Sequence, residues 1–302
     1  MKLALIFSYK ENEIWSTPYS LACEFQARGW EVQIFSTLST TGNYTDAGIQ
    51  MMHDQITSGN YDPDIVFYLD WGRFDTHLLD KSLYSSAYWV NEAGDEWQNF
   101  TRNFPRAPRF NLTLTSDHPS MLKYKKAGVN AIWFPHFADT VIYRPITTPV
   151  KYDVTCTRGP GSSMILDQLQ IDMGTDKMYN KNGTLGLAHA EALQKGKIIV
   201  QHSRWHEITR RIFEGMACGR MVITDRLPQE TKLQDLFKEN VDIVFYDDYE
   251  DLKRKLDYYL LHNVTEREKI ANAGRKAVVK SHTQVHRVDT ILKEFRKWKA
   301  SQ

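Results

Sequence analysis

The sequence predicts an α/β protein of two doubly wound halves. Apolar runs of strand length alternate with segments of helical period. Helix start and stop residues fall between those runs. The alternation breaks at Pro145 and begins afresh. A chain of 302 residues also exceeds what one hydrophobic core ordinarily holds.

The elements follow in order. "LALIFS" is continuously apolar, as for a strand buried on both faces. In "STPYSLACEFQARG", Thr17 is placed to cap a helix, Pro18 to open it and Gly29 to end it. "EVQIFS" is the next strand, and the resulting β-α-β unit implies a parallel sheet covered by helices. "DPDIVFYLD", "SSAYWVNE" and "FNLTLTSD" supply three more strands, and "HPSMLKYKKAG" a helix closing at Gly128. "NAIWFPHFADTVIYRP" starts as a strand and becomes a loop. Beyond it come the strand "KYDVTCT", the Gly-rich turn "RGPGSS" and the helix "MILDQLQ". Next are the strand "GKIIVQH", a helix "EITRRIFEGMACG" starting near Glu207, the strands "RMVITD" and "VDIVFYDD", and the helix "YEDLKRKLDYYLL". The halves meet near residues 146–150. Val288, Ile291, Leu292, Phe295 and Trp298 make one apolar face of a terminal helix, which must dock on something.

Composition removes several classes. Net charge is +1, so the whole chain offers no electrostatic case for nucleic acid. No apolar run approaches the ~18 residues of a membrane-spanning helix. "MKLALIFSYKENE" reads as a first strand rather than a signal peptide. Cys23, Cys156 and Cys218 are widely spaced in apolar contexts, and read as buried free thiols of a cytoplasmic protein. The ten histidines show no metal-ligand spacing, so no tightly held metal is expected.

Chemistry concentrates in "RRIFEGMACGRMVITDR", residues 210–226. Its helix follows a strand, so its first N–H groups and positive dipole end suit a phosphate. Arg204, Arg210 and Arg211 add permanent charge. Glu214 is two turns into the predicted helix, and its carboxylate matches a ribose diol. The small residues of "GMACG" allow close packing. The plainer alternative is an amphipathic helix with a solvated Arg–Glu face. In "TRGPGSS", Arg158 and Gly159 open a turn that either presents backbone N–H groups to phosphate or is an ordinary loop. In the N-terminal half, Glu92, Asp95, Asp117, His118 and His136 are candidates for a general base or an acceptor contact. Each is equally suited to a cap or turn, and Asp117 before "HPSM" is a good N-cap.

These residues resemble a known family. "TRRIFEGMACGRMVITDR" is similar to the core of group 1 glycosyltransferases, in the CgeB-like branch. "LQDLFKENVDIVFYDDYEDLKRKLDYYL" and "TEREKIANAGRKAVVKSHTQVHRVDTIL" resemble that branch's ending, and "GVNAIWFPHFADTVIYRP" the end of its N-terminal domain. The likeness runs through residues 111–292; residues 1–110 share only the pattern. It implies a GT-B fold: two Rossmann-like domains facing a cleft, with the last helix crossing back. The domains are then 1–147 on the acceptor side, 148–285 on the nucleotide-sugar side, and a helix 286–302 packed on the first. It further implies a nucleotide-sugar donor, expected to be a UDP-sugar, and no obligatory metal or other cofactor.

The wider group carries a glutamate pair, E-x7-E, whose second member corresponds to Glu214 and binds ribose. The first falls on His206, with Glu207 one residue out of register. His206 and Glu207 are therefore the residues expected near the donor sugar. Arg158, Gly159, Arg204, Thr209, Arg210, Arg211 and Glu214 form the expected donor site. A retaining transfer needs no protein base if the leaving phosphate takes the acceptor proton; an inverting one would need Asp95 or Asp117. The acceptor stays open among a polysaccharide, a protein, a metabolite and a modified nucleic-acid base. Two rivals remain. One is a non-catalytic nucleotide-sugar-binding or coat protein on the same fold. The other is a nucleotide-binding oxidoreductase, disfavoured because no GxGxxG follows "LALIFS".

Overall fold

The computed structural model describes residues 1–11, 16–69, 76–158 and 163–302, with Arg158 described in its backbone only. The elements are β1 (Lys2–Phe7), α1 (Thr17–Ala27), β2 (Glu31–Ser36), α2 (Ala47–Thr57), β3 (Ile65–Tyr68), β4 (Tyr88–Ala93) and α3 (Glu96–Arg106). They continue with β5 (Leu112–Thr115), α4 (His118–Lys126), β6 (Ala131–Trp133), β7 (Tyr152–Arg158), α5 (Met164–Met173), β8 (Met178–Asn182), α6 (Gly186–Gln194) and β9 (Gly196–Gln201). The rest are α7 (Arg210–Ala217), β10 (Met221–Asp225), α8 (Leu233–Leu236), β11 (Val244–Tyr246), α9 (Tyr249–Asp257), α10 (Val264–Ser281) and α11 (Gln284–Lys299).

The chain forms two compact units, Met1–Pro135 with Val285–Gln302, and His136–Gln284. The first holds a six-stranded sheet in the order β2-β1-β3-β4-β5-β6, the second a five-stranded sheet in the order β11-β10-β9-β7-β8. Neighbouring strands are parallel throughout both sheets. Central strands are buried along their length, because helices cover both faces of a parallel sheet. The core of the first unit includes Phe35, Tyr68, Trp89 and Phe110; that of the second includes Val154, Ile198, Val200, Ile223 and Leu252.

The tail helix α11 belongs to the first unit. Val288, Ile291, Leu292 and Phe295 are buried. Phe295 meets the ring of Trp30 edge-on at 5.9 Å, and Trp298 lies 5.2 Å from Tyr88. Arg28, which follows α1, pairs with Asp289 of α11.

Some local expectations are corrected. Ser16, not Thr17, caps α1, accepting the Tyr19 N–H. Cys23 is exposed, while Cys156 and Cys218 are buried, and all three are free thiols. The segments of α2, α3, β8 and α6 gave no clear periodic signal. In α3 the reason is visible: its buried face carries Glu96, Asn103 and Arg106, so polar residues occupy positions where apolar ones reveal a helix. Likewise β8, "MYNKN", is an edge strand with an exposed end.

Candidate functional site

In the second sheet β7 and β9 are neighbours, although β8 separates them in sequence. Chain order therefore reverses between them. In open α/β sheets, ligands settle beside the carboxyl ends of the two strands at such a reversal. Arg158 is the last residue of β7. Gly159 and the rest of the turn through residue 162 lie outside the described residues. Ser163 follows and caps α5 by accepting the Leu166 N–H.

The connection from β9 to α7 is tightly wound. The Ser203 hydroxyl donates to the Glu207 carbonyl at 2.9 Å and accepts the Glu207 N–H at 2.8 Å. The Ser203 N–H donates to Asp225 Oδ1 at 2.9 Å, tying the loop to the end of β10. His206 sits at the loop's exposed tip with φ of 53°, in the left-handed region. Arg204 is also exposed, its guanidinium over the Trp205 ring. This loop delays the helix, which begins at Arg210 and not near Glu207. The first-turn amides are therefore those of Arg210, Arg211 and Ile212; they have no intrahelical acceptor four residues back, and that of Ile212 donates to the Thr209 carbonyl at 3.3 Å.

Around that terminus, three groups meet anion-binding needs to different degrees. Thr209 occupies the N-cap position without making a cap bond, and its enclosed Oγ1 has no hydrogen-bond partner among the described residues. Arg211 is half-buried, and no ion pair or hydrogen bond engages its guanidinium among the described residues. Burial lowers its pKa; Glu214 opposes this, and Arg210 adds to it. A recessed cation without a carboxylate partner is costly unless an anion completes it. Arg210 differs: its Nε lies 2.7 Å from Glu214 Oε1, with 27% of its side chain exposed.

Glu214 has only 1% of its side chain exposed. Its contact with Arg210 is an ion pair more than a linear hydrogen bond, since the Nε–H is not aimed at Oε1. His189 Nδ1 stands 3.7 Å from Oε2, and His189 Nε2 is 2.8 Å from the Thr157 hydroxyl. The Tyr143 hydroxyl lies against the carboxylate without the alignment of a full hydrogen bond. Burial would raise the Glu214 pKa, but the charge of Arg210, with His189 and Arg211, holds it below the ordinary value. Burial pushes the pKa of His189 down, against the pull of Glu214. Sequence reasoning missed Thr157, His189 and Tyr143: a lone His in "GLAHAEALQ" has no partner at any meaningful spacing.

Residues 168–293 match the family described as glycosyl transferase-like. No curated protein matches the sequence. Sucrose-phosphate synthase from Thermosynechococcus elongatus superposes with a TM-score of 0.68 at 11% identity, covering 100% of both chains. A glycosyltransferase from Rickettsia africae gives 0.68 at 11% identity, covering 98% of each. HepE from Anabaena, in complex with UDP, gives 0.67 at 11% identity, covering 98% of this chain and 100% of its own. The chain has the GT-B fold.

The remaining candidates occupy the N-terminal unit of this GT-B chain and the start of its second. Glu92 is buried on β4, and exposed Asp95 precedes α3 with φ of 48°. Asp117 caps α4, accepting the Ser120 N–H at 2.9 Å. His118 opens that helix edge-on to Trp133 at 5.4 Å, and its enclosed Nδ1 has no hydrogen-bond partner among the described residues. These four sit at or beyond the carboxyl ends of β4 and β5, away from the β1–β3 order reversal of their sheet. His136 is partly exposed and begins the second unit. Among the described residues, no group of His, Cys, Asp and Glu is arranged to hold a metal, and no helix is long and apolar enough to cross a membrane.

Proposed function

We propose that this chain is a glycosyltransferase that moves a sugar from a nucleotide-sugar donor to an acceptor, with retention and without an obligatory metal. One observation carries the reading: the recessed Arg211 guanidinium at the N-terminus of α7, unpaired among the described residues and beside the order reversal of the second sheet. A diphosphate fits it. The anion would meet the first-turn amides, the Thr209 hydroxyl and Arg211, with Arg158 at the end of the neighbouring strand. Negative charge develops on the departing diphosphate as the sugar–phosphate bond breaks, so fixed cations there lower the barrier. In a retaining transfer the departing phosphate oxygen takes the acceptor proton, and no protein base is required. His206 and Glu207, in the loop before α7, are the residues proposed near the sugar. UDP is the proposed nucleotide because the related fold of HepE is described with UDP and with UDP-glucose. The free thiols fit a reducing compartment, and the cytoplasm is the proposed location.

Thermal melting against UDP, GDP, ADP, CMP and their sugar conjugates, with and without EDTA, tests this. A ligand at a hundred times its Kd adds about 2.7 kcal/mol. UDP is expected to raise the melting temperature by several degrees, unchanged by EDTA. Indifference to every nucleotide would sink the reading. UDP binding without hydrolysis or transfer of any UDP-sugar would instead favour a non-catalytic binding protein.

A further inference from the structure

We infer that Ser203 is a positioning residue that sets donor-sugar selectivity: its side chain holds the loop of Arg204, Trp205 and His206 in the shape that meets the sugar. The inference rests on the nucleotide-sugar reading above. The sugar is bonded directly to the diphosphate. A diphosphate at the start of α7 therefore puts the sugar next to the residues that lead into that helix, which are those between β9 and Thr209. Arg204, Trp205 and His206 are exposed, so packing contributes little to their arrangement. His206 also takes a left-handed backbone, which a residue with a Cβ adopts at a cost. An exposed loop carrying that cost keeps one shape only when residues outside it hold it.

Ser203 supplies that hold. Unlike the three residues after it, it is buried. Its one hydroxyl donates to the Glu207 carbonyl and accepts the Glu207 N–H, which closes the loop across its base. The base is fixed in turn to the sheet. The Ser203 N–H donates to Asp225 Oδ1, and the Thr224 hydroxyl donates to the same oxygen at 3.1 Å. Asp225 ends β10 and is itself buried, so this acceptor sits on a rigid element. His202, one residue earlier, has its Nδ1 2.7 Å from the Tyr246 hydroxyl at the end of β11. The loop thus stands on the carboxyl ends of two neighbouring strands and is shut by one side chain. Thr209 and Arg211 lie beyond the closure. Loss of the Ser203 hydroxyl therefore loosens the part that faces the sugar and spares the part that faces the diphosphate. Fixing a loop before its ligand arrives removes an ordering cost from binding, and a fixed loop rejects a sugar epimer that a loose one accommodates.

The test measures the Kd of UDP, UDP-glucose, UDP-galactose and UDP-N-acetylglucosamine by calorimetric titration of the full chain, as wild type and as Ser203→Ala. The wild type is expected to separate the tightest from the weakest sugar conjugate by about tenfold. Ser203→Ala should narrow that spread to within about twofold, while the Kd of UDP itself changes by less than about twofold. Asp225→Asn keeps an acceptor for the Ser203 N–H and removes its charge, so a partial narrowing is expected. This variant carries the test if Ser203→Ala melts below assay temperature. Equal weakening of UDP and all three conjugates would overturn the inference, because a merely structural role does that. A spread left intact by Ser203→Ala overturns it too, as does a wild type that binds UDP but treats the three conjugates alike. A wild type that binds none of the four overturns the donor reading itself.

Discussion

At the scale of single residues, Arg211 and Glu96 show what burying a charge costs when its partner is missing. Arg211 has no carboxylate partner among the described residues, and burial lowers its pKa. Arg211→Met should therefore weaken UDP by about 10- to 100-fold, the loss of charge-assisted hydrogen bonds worth roughly 1.5–3 kcal/mol. The ligand-free melting temperature should be unchanged or higher, because an uncompensated recessed cation is gone. Calorimetric titration and melting on the same variant check both halves. Glu96 is the counterpart in the N-terminal unit. Burial pushes its carboxyl from 4.5 up to about 7, against the hydrogen bonds from Tyr124 and Asn103. The folded value lies above the unfolded one, so the native state keeps a proton that the unfolded state releases. The group's contribution is full below about 4.5 and is lost as pH rises through about 7. Moving from pH 5.5 to pH 8 should cost this unit roughly 2 kcal/mol in urea unfolding. Glu96→Gln should flatten that dependence, and an unchanged slope would refute the assignment.

At the scale of elements, α11 and α7 were legible to different depths. The tail's apolar face was readable because Val288, Ile291, Leu292, Phe295 and Trp298 repeat at helical spacing. Its burial against Trp30 and Tyr88 makes it part of the N-terminal core. Phe295→Ala should destabilise that unit by about 3–5 kcal/mol. Faster proteolysis within Met1–Pro135, with His136–Gln284 still resistant, is the expected pattern. Helix α7 was readable in kind but not in its start. Capping signals are local, whereas its first residue is decided by Ser203 holding Glu207 from both sides and by the left-handed His206. The small residues had a packing role, as expected: a Cβ on Gly215 would stand 2.9 Å from Ile199 Cδ1 and 3.1 Å from Val222 Cγ2. The helix thus lies directly on β9 and β10, which sets its terminus at the strand ends.

At the scale of the whole molecule, two parallel sheets and an apolar tail make a GT-B chain, and the proposed nucleotide site lies within one unit. UDP alone should then slow amide exchange at residues 155–158 and 203–214 while leaving β3 and β4 unchanged. Protection confined to the N-terminal unit would contradict the site. The alternation of strands and helices was determined by the sequence itself, because burial on both faces of a parallel sheet demands uninterrupted apolar runs, which periodicity exposes. The Arg-Arg-x-x-Glu spacing likewise marked where charge gathers. Which arginine is paired was left to the tertiary structure. Thr157, Tyr143 and His189 come from three separate segments, and only the packed second unit brings them around Glu214. A sequence specifies which charges are present, but the energy of a buried charge depends on its neighbours in space, and those exist only once the chain has folded.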